Sequence, residues 1–461
     1  MKFTKFGKAL LMSALSAGVV LSITSCVQSY SVGYLYVTGT MTSGTNGNGI
    51  ISGFKINHNS GGLTPINGLP ISSGGANPVR AILLNGSRFL YVLNRGVNKE
   101  GNGNCTTADP CLNANITQFA VGSNGILTAQ ETFTTQGFNP FRILSDNTGS
   151  FIYVLEHDSP DNYNQSATDG CALALSGVQT CGDITAFQIN QTTGRLSLVV
   201  NDAVTSTLGG GNSPLTYFPV PANPVDLVMA SSSVLTLYAT HATASTSYPY
   251  TGGASVFPYT YSTNNGQLAV NPNGSQPLYI TQGTAIVFAG SNIYVLDNEP
   301  LSVSGVVASQ SQIRAFTLGS NGALLAQTSG PVPDDANQTN PIYLVQENKG
   351  KWFYVANQGN PGNPTLPLSG IAGYVINSPF QPSEMGGAPI GFGAGGGPQC
   401  LVEDPSSQYF YTANAYDSTV SGQMINEQSG TLTPLSESSK APSSYSLTGQ
   451  PTWCLVDGRT S

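Results

Sequence analysis

Charge is what this chain lacks most. Asp, Glu, Lys and Arg together make up 8% of 461 residues, and only three residues are histidine. The formal net charge is −8, and it becomes −11 without Lys2, Lys5 and Lys8 of the N-terminal segment. A protein that binds nucleic acid needs a basic face to meet the phosphates, so that class is excluded. There is no Cys-x-x-Cys pair and no histidine cluster, hence no metal-ligand spacing. No Gly-x-Ser-x-Gly elbow, phosphate loop or dinucleotide fingerprint occurs, and the glycine-rich stretch Gly391 to Gly397 has no lysine to hold a phosphate. No cofactor is called for. Past the N-terminal segment, no apolar run is long enough to cross a bilayer.

The N-terminal segment itself reads as an export signal. Lys2, Lys5 and Lys8 precede a short apolar stretch from Ala9 to Leu21. Ile23-Thr24-Ser25-Cys26 follows and resembles a bacterial lipobox. Residues 1–25 are therefore expected to be a lipoprotein signal peptide and 26–33 a tether lipidated at Cys26. The other reading is an ordinary cleaved signal with an incidental cysteine. Acyl chains contribute about 0.8 kcal/mol per buried CH2, enough to hold a domain at a membrane. The expected location is the cell envelope, periplasmic or at the surface, with the lipid anchor as the sole membrane contact.

With Cys26 set apart, six cysteines remain, and an even set in an exported chain suggests disulfides. Local spacing favours Cys105–Cys111 and Cys171–Cys181, which leaves Cys400–Cys454.

What the chain has in place of charge is a repeat. Tyr36, Tyr91, Tyr153, Tyr238, Tyr294, Tyr354 and Tyr411 each end a short apolar run, at spacings of 55, 62, 85, 56, 60 and 57 residues. Around each tyrosine lie further runs of β-branched and aromatic residues bounded by Gly, Asn and Ser. Phe54, Phe119, Phe187, Phe257, Phe316, Tyr374 and Gln423 mark a third strand. A Gly-x-Leu turn at Gly61, Gly125, Gly194, Gly266, Gly322 and Gly430 marks a fourth, with Met385-Gly386 in its place in the sixth unit. The pattern predicts an all-β, seven-bladed β-propeller of four-stranded blades over residues 34–461. The first unit has no inner strand of its own. The C-terminal run Pro451 to Asp457 resembles Pro398 to Glu403, with one residue inserted before the cysteine. It is expected to complete the first blade, with Cys400 and Cys454 on adjacent inner strands. A ring closed in this way has no sheet edge that forces pairing, so a monomer is expected.

The Asn-Pro inner strands and Tyr-Val-x-Asn second strands, as in Tyr354-Val355-Ala356-Asn357, resemble the bacterial seven-bladed lactonase family. That family includes 6-phosphogluconolactonase-like and muconate-lactonizing-like propellers, and the related Tyr-Val-Thr-Asn repeats share the pattern. The resemblance spans the whole propeller and implies hydrolysis of a small cyclic ester such as a sugar-acid lactone. Members often carry histidine two residues after the inner-strand proline. Here Arg80, Arg142, Asp226, Tyr343 and Cys400 stand there, so catalytic residues cannot be carried over.

Blade geometry still narrows the search. Inner strands begin, and second strands end, on one face, where the longest loops (95–115, 157–183, 241–253, 299–312 and 358–370) also open. Glu156, His157 and Arg142 are the candidate catalytic residues: a base for water, and a cation for the developing charge. Arg80, Asp226, His241 and Tyr343 are the candidate substrate contacts. Arginines that merely pair with Asp226 and Glu156 to fill the channel would instead favour a non-catalytic propeller, binding a ligand or protein partner through its long-loop rim. Calcium held by Asp226, Glu156 and Asn357 is chemically conceivable, but their spacing does not demand it.

Overall fold

The structure is a computed structural model that describes residues 30–458, except 42–47, 85, 87, 103, 107, 161–180, 207–212, 222–223, 231–232, 239–253, 271–278, 281, 290, 304, 320–323, 327–329, 361–368, 378–381, 386–395 and 440. Each repeated tyrosine lies on the second strand of an antiparallel sheet. Six blades are each folded from one continuous stretch, and we letter them in chain order. Blade A is Pro78–Leu83, Phe89–Asn94, Asn115–Val121 and Leu127–Thr134. Blade B is Phe138–Ser145, Phe151–Asp158, Cys181–Ile189 and Leu196–Leu198. Blade C is Pro224–Ala230, Ser233–Tyr238, Ala254–Tyr261 and Leu268–Val270. Blade D is Gly283–Ala289, Asn292–Asp297, Gln312–Leu318 and Leu324–Ala326. Blade E is Pro341–Gln346, Trp352–Asn357, Gly370–Val375 and Ser383–Glu384. Blade F is Val402–Glu403, Tyr409–Asn414, Thr419–Ile425 and Leu432–Pro434.

The expectation of a seven-bladed propeller of four-stranded blades needs correction. Six blades are continuous. The first unit is completed by the C-terminal run, as expected, in a composite sheet drawn from residues some 400 apart in sequence: Gln450–Asp457 pairs with Ser31–Thr40, which pairs in turn with Asn48–Asn57 and Leu63–Pro65. Its first strand starts at Ser31, inside the stretch read as tether. Nor are four strands the rule, because five of the sheets carry a fifth. The reason is the short outer strand. In blade B it is three residues, Leu196–Leu198, against nine in Cys181–Ile189. The uncovered backbone of the third strand is paired by Phe218–Pro221 on the way to the next blade. Ile71–Ala76, Tyr279–Ile280, Val332–Pro333 and Ser444–Ser446 do the same elsewhere. An unpaired buried N–H or C=O is costly, so the connecting chain is drawn into the sheet.

Two motifs that look independent in the sequence turn out to be halves of one contact. Among the described residues, the hydroxyls of five of the repeated tyrosines donate to the carbonyl of the Gly-x-Leu glycine of the next sheet. Tyr36 reaches Gly125 at 2.7 Å, Tyr91 Gly194 at 2.5 Å, Tyr153 Gly266 at 3.1 Å, Tyr354 Gly430 at 2.6 Å and Tyr411 Gly61 at 2.6 Å. The aromatic residue two places before the tyrosine lies flat against the same glycine. A Cβ on Gly194, whose φ is +71°, would come within 2.6 Å of the Phe89 ring. The last of these bonds, from Tyr411 to Gly61, joins blade F to the composite sheet and so closes the ring. Side chains between neighbouring sheets form the core: Tyr91, Leu93 and Ile116 of blade A pack with Ile152, Val154 and Phe187 of blade B, all buried.

Two disulfides are seen. Cys105–Cys111 closes a loop within 95–115, and Cys400–Cys454 joins the chain before blade F to the composite sheet. Cys171, and so the pair Cys171–Cys181, lies outside the described residues, as do Cys26 and His241. No described helix is long and apolar enough to cross a membrane.

Candidate functional site

The inner strands begin with a shared device. Asn77, Asn139 and Asn340 adopt positive φ (52°, 56° and 57°) immediately before Pro78, Pro140 and Pro341. Asparagine tolerates that region better than most residues, since its side chain can bond locally. Asn139 uses both ends of its amide: Oδ1 accepts from the Cys111 N–H at 2.7 Å, and Nδ2 donates to Asp158 at 2.6 Å. The disulfide-closed loop of blade A is thus fastened to blade B. Near its start, each of six inner strands bulges, in five of them just past a proline. Pairing jumps from Pro78 to Arg80, from Pro140 to Arg142, from Pro224 to Asp226, from Gly283 to Ala285, from Pro341 to Tyr343 and from Pro451 to Trp453. A bulge of this kind re-aims side chains, and repeated around the ring it gathers them at the axis.

What they enclose is a cavity of about 260 Å³ lined by Val79, Arg80, Phe141, Arg142, Ile342, Gln399, Thr452 and Trp453. Five inner-strand starts contribute, so the cavity sits at the mouth of the central channel. Arg142 Nε donates to Asp226 Oδ1 at 2.8 Å, and its Nη1 to the Phe141 carbonyl at 3.1 Å. Asp226 has more duties. Its Oδ1 also accepts from the Leu227 N–H at 2.9 Å, and its Oδ2 from the Ile286 N–H of blade D at 3.0 Å. Arg80 differs. Its guanidinium carbon lies 3.5 Å from the ring centroid of Trp453 and 5.7 Å from that of Tyr343, and the two rings meet edge-on. Among the described residues it makes no ion pair. Burial first, and then the neighbouring Arg142, lower its pKa to about 9, against the opposing pull of Asp226 and Tyr343. A cation is being held there at a cost.

The candidates separate accordingly. Arg80 and Arg142 line the cavity, with Asp226 and Tyr343 in contact with them. His157 stacks on Phe141, ring centroids 4.1 Å apart. Burial, then Arg95 and Arg142, push its pKa down to about 4, so the imidazole is neutral at pH 7. Glu156 is elsewhere. Its Oε2 accepts from the Gly137 N–H at 2.9 Å and from the Thr185 hydroxyl at 2.5 Å, and it lies opposite Asp183 across the strand pair. Burial raises the pKa of both carboxyls, and the charge of Glu156 raises that of Asp183 further.

The place of Glu156 in the repeat explains this. Asn94, Asp297 and Asn357 occupy the same position after their tyrosines, and each grips the segment just before its own inner strand. Asn94 Nδ2 donates to the Ser73 carbonyl, Asp297 accepts from the Gln282 N–H, and Asn357 donates to Gln338. Asn414 is buried at the equivalent place in blade F. The position is a blade anchor. Glu156, Asp226 and Asn357 are thus engaged in three different blades and do not converge, and no group of three metal-binding side chains occurs among the described residues. Sequence reading missed Trp453, Phe141, Gln399 and Thr452. Trp453 stands two residues after Pro451, as Arg80 does after Pro78, so alignment on the proline would have found it.

No family model matches the chain, and no curated protein matches it. Solved structures do. A candidate 6-phosphogluconolactonase of Bacteroides fragilis covers 92% of this chain and 98% of its own, with a TM-score of 0.60 and 14% identity. Another from Bacteroides uniformis has 92%, 99%, 0.60 and 14%. The periplasmic gluconolactonase of Pseudomonas aeruginosa has 92%, 99%, 0.59 and 15%. This chain shares their fold. At such identities the likeness is one of architecture, as expected of a scaffold that hosts many functions.

Proposed function

We propose that this propeller is a lactonase-like hydrolase of a small cyclic ester, working at the axial cavity. The observation that carries the reading is Arg80, an ion-unpaired guanidinium held on Trp453 at the wall of an open pocket. Ring opening adds water to the ester carbonyl, breaks the ring C–O bond and passes the water's proton to the departing alkoxide. Negative charge appears first on the carbonyl oxygen and then on the product carboxylate. A partly buried, preorganised cation is suited to both, and a guanidinium fork matches the carboxylate. His157 is neutral at pH 7 and can take a proton, though weakly at a pKa of about 4. Most of the rate would then come from charge stabilisation. The shared fold of proteins named for lactone hydrolysis supports the same reading. We further propose that the domain is exported and anchored through Cys26, which incorporation of labelled palmitate in the producing cell would test.

Turnover of a panel of sugar and aromatic lactones by the purified protein, beside Arg80→Met, tests the activity. Loss of at least a hundredfold in the variant is expected. No turnover above the uncatalysed rate by the parent protein would sink it. A second reading, a binding propeller without chemistry, is favoured by one observation: Arg142, the other cavity arginine, is already tied to Asp226.

A further inference from the structure

We infer that the axial cavity is matched to a single negative charge, so that it takes a monocarboxylate and turns away a phosphate dianion. This rests on the reading of that cavity as the ligand site. The argument is a count of charges. Arg80 and Arg142 bring two cations to the wall, and Asp226 returns one anion through its 2.8 Å contact with Arg142. The groups behind cancel or are neutral. Arg95 is offset by Asp158, His157 is uncharged, and Tyr343 is a phenol whose ionisation burial opposes. The remaining lining, Val79, Phe141, Ile342, Gln399, Thr452 and Trp453, carries no charge. One positive charge is left, on Arg80.

That charge sits in a cramped, largely apolar mouth where counterions and water screen poorly. One carboxylate neutralises it, and the polar groups beside it are neutral: the Gln399 amide, whose Nε2 donates to the Gly397 carbonyl at 3.1 Å, and the Thr452 hydroxyl, which meets Thr38 at 3.0 Å. A phosphate monoester near pH 7 carries close to two charges. Its second charge would find only Asp226, already an anion, and would lie uncompensated in a site that solvates it badly. Arg142 cannot supply the difference without giving up Asp226, and that carboxylate would then be the orphan. The pocket thus selects by charge number as well as by shape.

Two hexoses that differ only at the sixth carbon make the probe: D-glucuronate, a monoanion, and D-glucose 6-phosphate. Neither can be hydrolysed as a lactone, so binding is read apart from turnover, and loss of lactonase activity would leave this result standing. Calorimetry on the whole protein is run at pH 7.5 and pH 5.5. Across that range Arg80 stays charged and His157 neutral, on pKa values of about 9 and about 4. Glucuronate affinity should change less than about twofold. With a second pKa near 6, the phosphate monoanion rises from a few per cent to most of the population. Glucose 6-phosphate should therefore bind at least about tenfold more weakly than glucuronate at pH 7.5 and gain about twentyfold at pH 5.5.

Equal or tighter binding of the phosphate at pH 7.5 overturns the inference, as does failure of both sugars to bind at millimolar concentration. Arg80→Met should abolish glucuronate binding, and unchanged binding in that variant would place the anion elsewhere and also overturn it. If the variant does not fold, the parent protein's two-pH comparison decides alone.

Discussion

Arg142 and Asp226 lie 84 residues apart in sequence and form an ion pair of 2.8 Å between the inner strands of blades B and C. Asp226 also accepts from the Ile286 backbone of blade D, so one carboxylate ties three consecutive blades together. Removing it leaves Arg142, only 23% exposed, without its ionic partner. Asp226→Ala is expected to cost about 2–3 kcal/mol, less than a fully buried pair because Arg142 is partly solvated. Arg142→Met combined with Asp226→Leu should recover most of that loss. Urea denaturation measures both, and a single variant no worse than the double would refute the account.

The tyrosine-to-glycine contacts predict an ordering of costs. Tyr91→Phe removes one buried hydrogen bond and should cost about 1 kcal/mol. Gly194→Ala must hold a φ of +71° and displace the Phe89 ring, so a cost of about 2 kcal/mol or more is expected. The reverse ordering in denaturation midpoints would show that the glycine serves only as a turn.

His157 should give the fold an acid sensitivity. Its folded pKa is about 4, while an unfolded histidine titrates near about 6.5. The unfolded chain therefore takes up the proton first. Stability contributed by the neutral imidazole is complete above about 6.5 and is lost progressively as pH falls to about 4. The loss should be about 2–3 kcal/mol in the parent protein and absent from His157→Gln. Parallel stability curves for the two between pH 7 and 4 would contradict the placement.

Glu156→Gln separates anchor from catalyst. Burial raises the Glu156 pKa, so the stability tied to its protonated form declines as pH climbs through that value. A glutamine supplies a neutral partner at every pH. The variant should equal or exceed the parent in stability at pH 8, lose that advantage at pH 5, and keep lactone turnover within a few-fold. Loss of about a hundredfold in turnover would restore Glu156 as a general base.

Much of this was legible in the chain. The tyrosine spacing marked the second strands, the aromatic marks lie on third strands as read, and the Pro451 run pairs with Ser31–Thr40. What could not be read were relations between neighbouring sheets. The bond from Tyr36 to Gly125 spans 89 residues, and neither motif carries a sign of the other. Arg80 and Arg142 were found because they follow prolines. Glu156 does not line the cavity; a carboxylate there looks like chemistry, whereas asparagine in the same slot looks like structure. Outer strands are short and half-polar, so the fifth strands that complete them leave almost no periodic signal.

The composite sheet also sets a clock. The junctions among blades A to F are made between stretches close in sequence, but Tyr411 and Gly61 are 350 residues apart, and the Thr38 and Thr452 hydroxyls that meet at 3.0 Å are 414 apart. Closing so long a loop costs only about 2 kcal/mol more than closing one of a few tens of residues, but such a non-local joint is slow to find. Until residues 450–457 arrive, Ser31–Thr40 lacks its inner partner strand and the axial cavity lacks Trp453. A circular permutant that places those residues ahead of Ser31 would turn the slowest joint into a hairpin. It should assemble much faster while melting at nearly the same temperature.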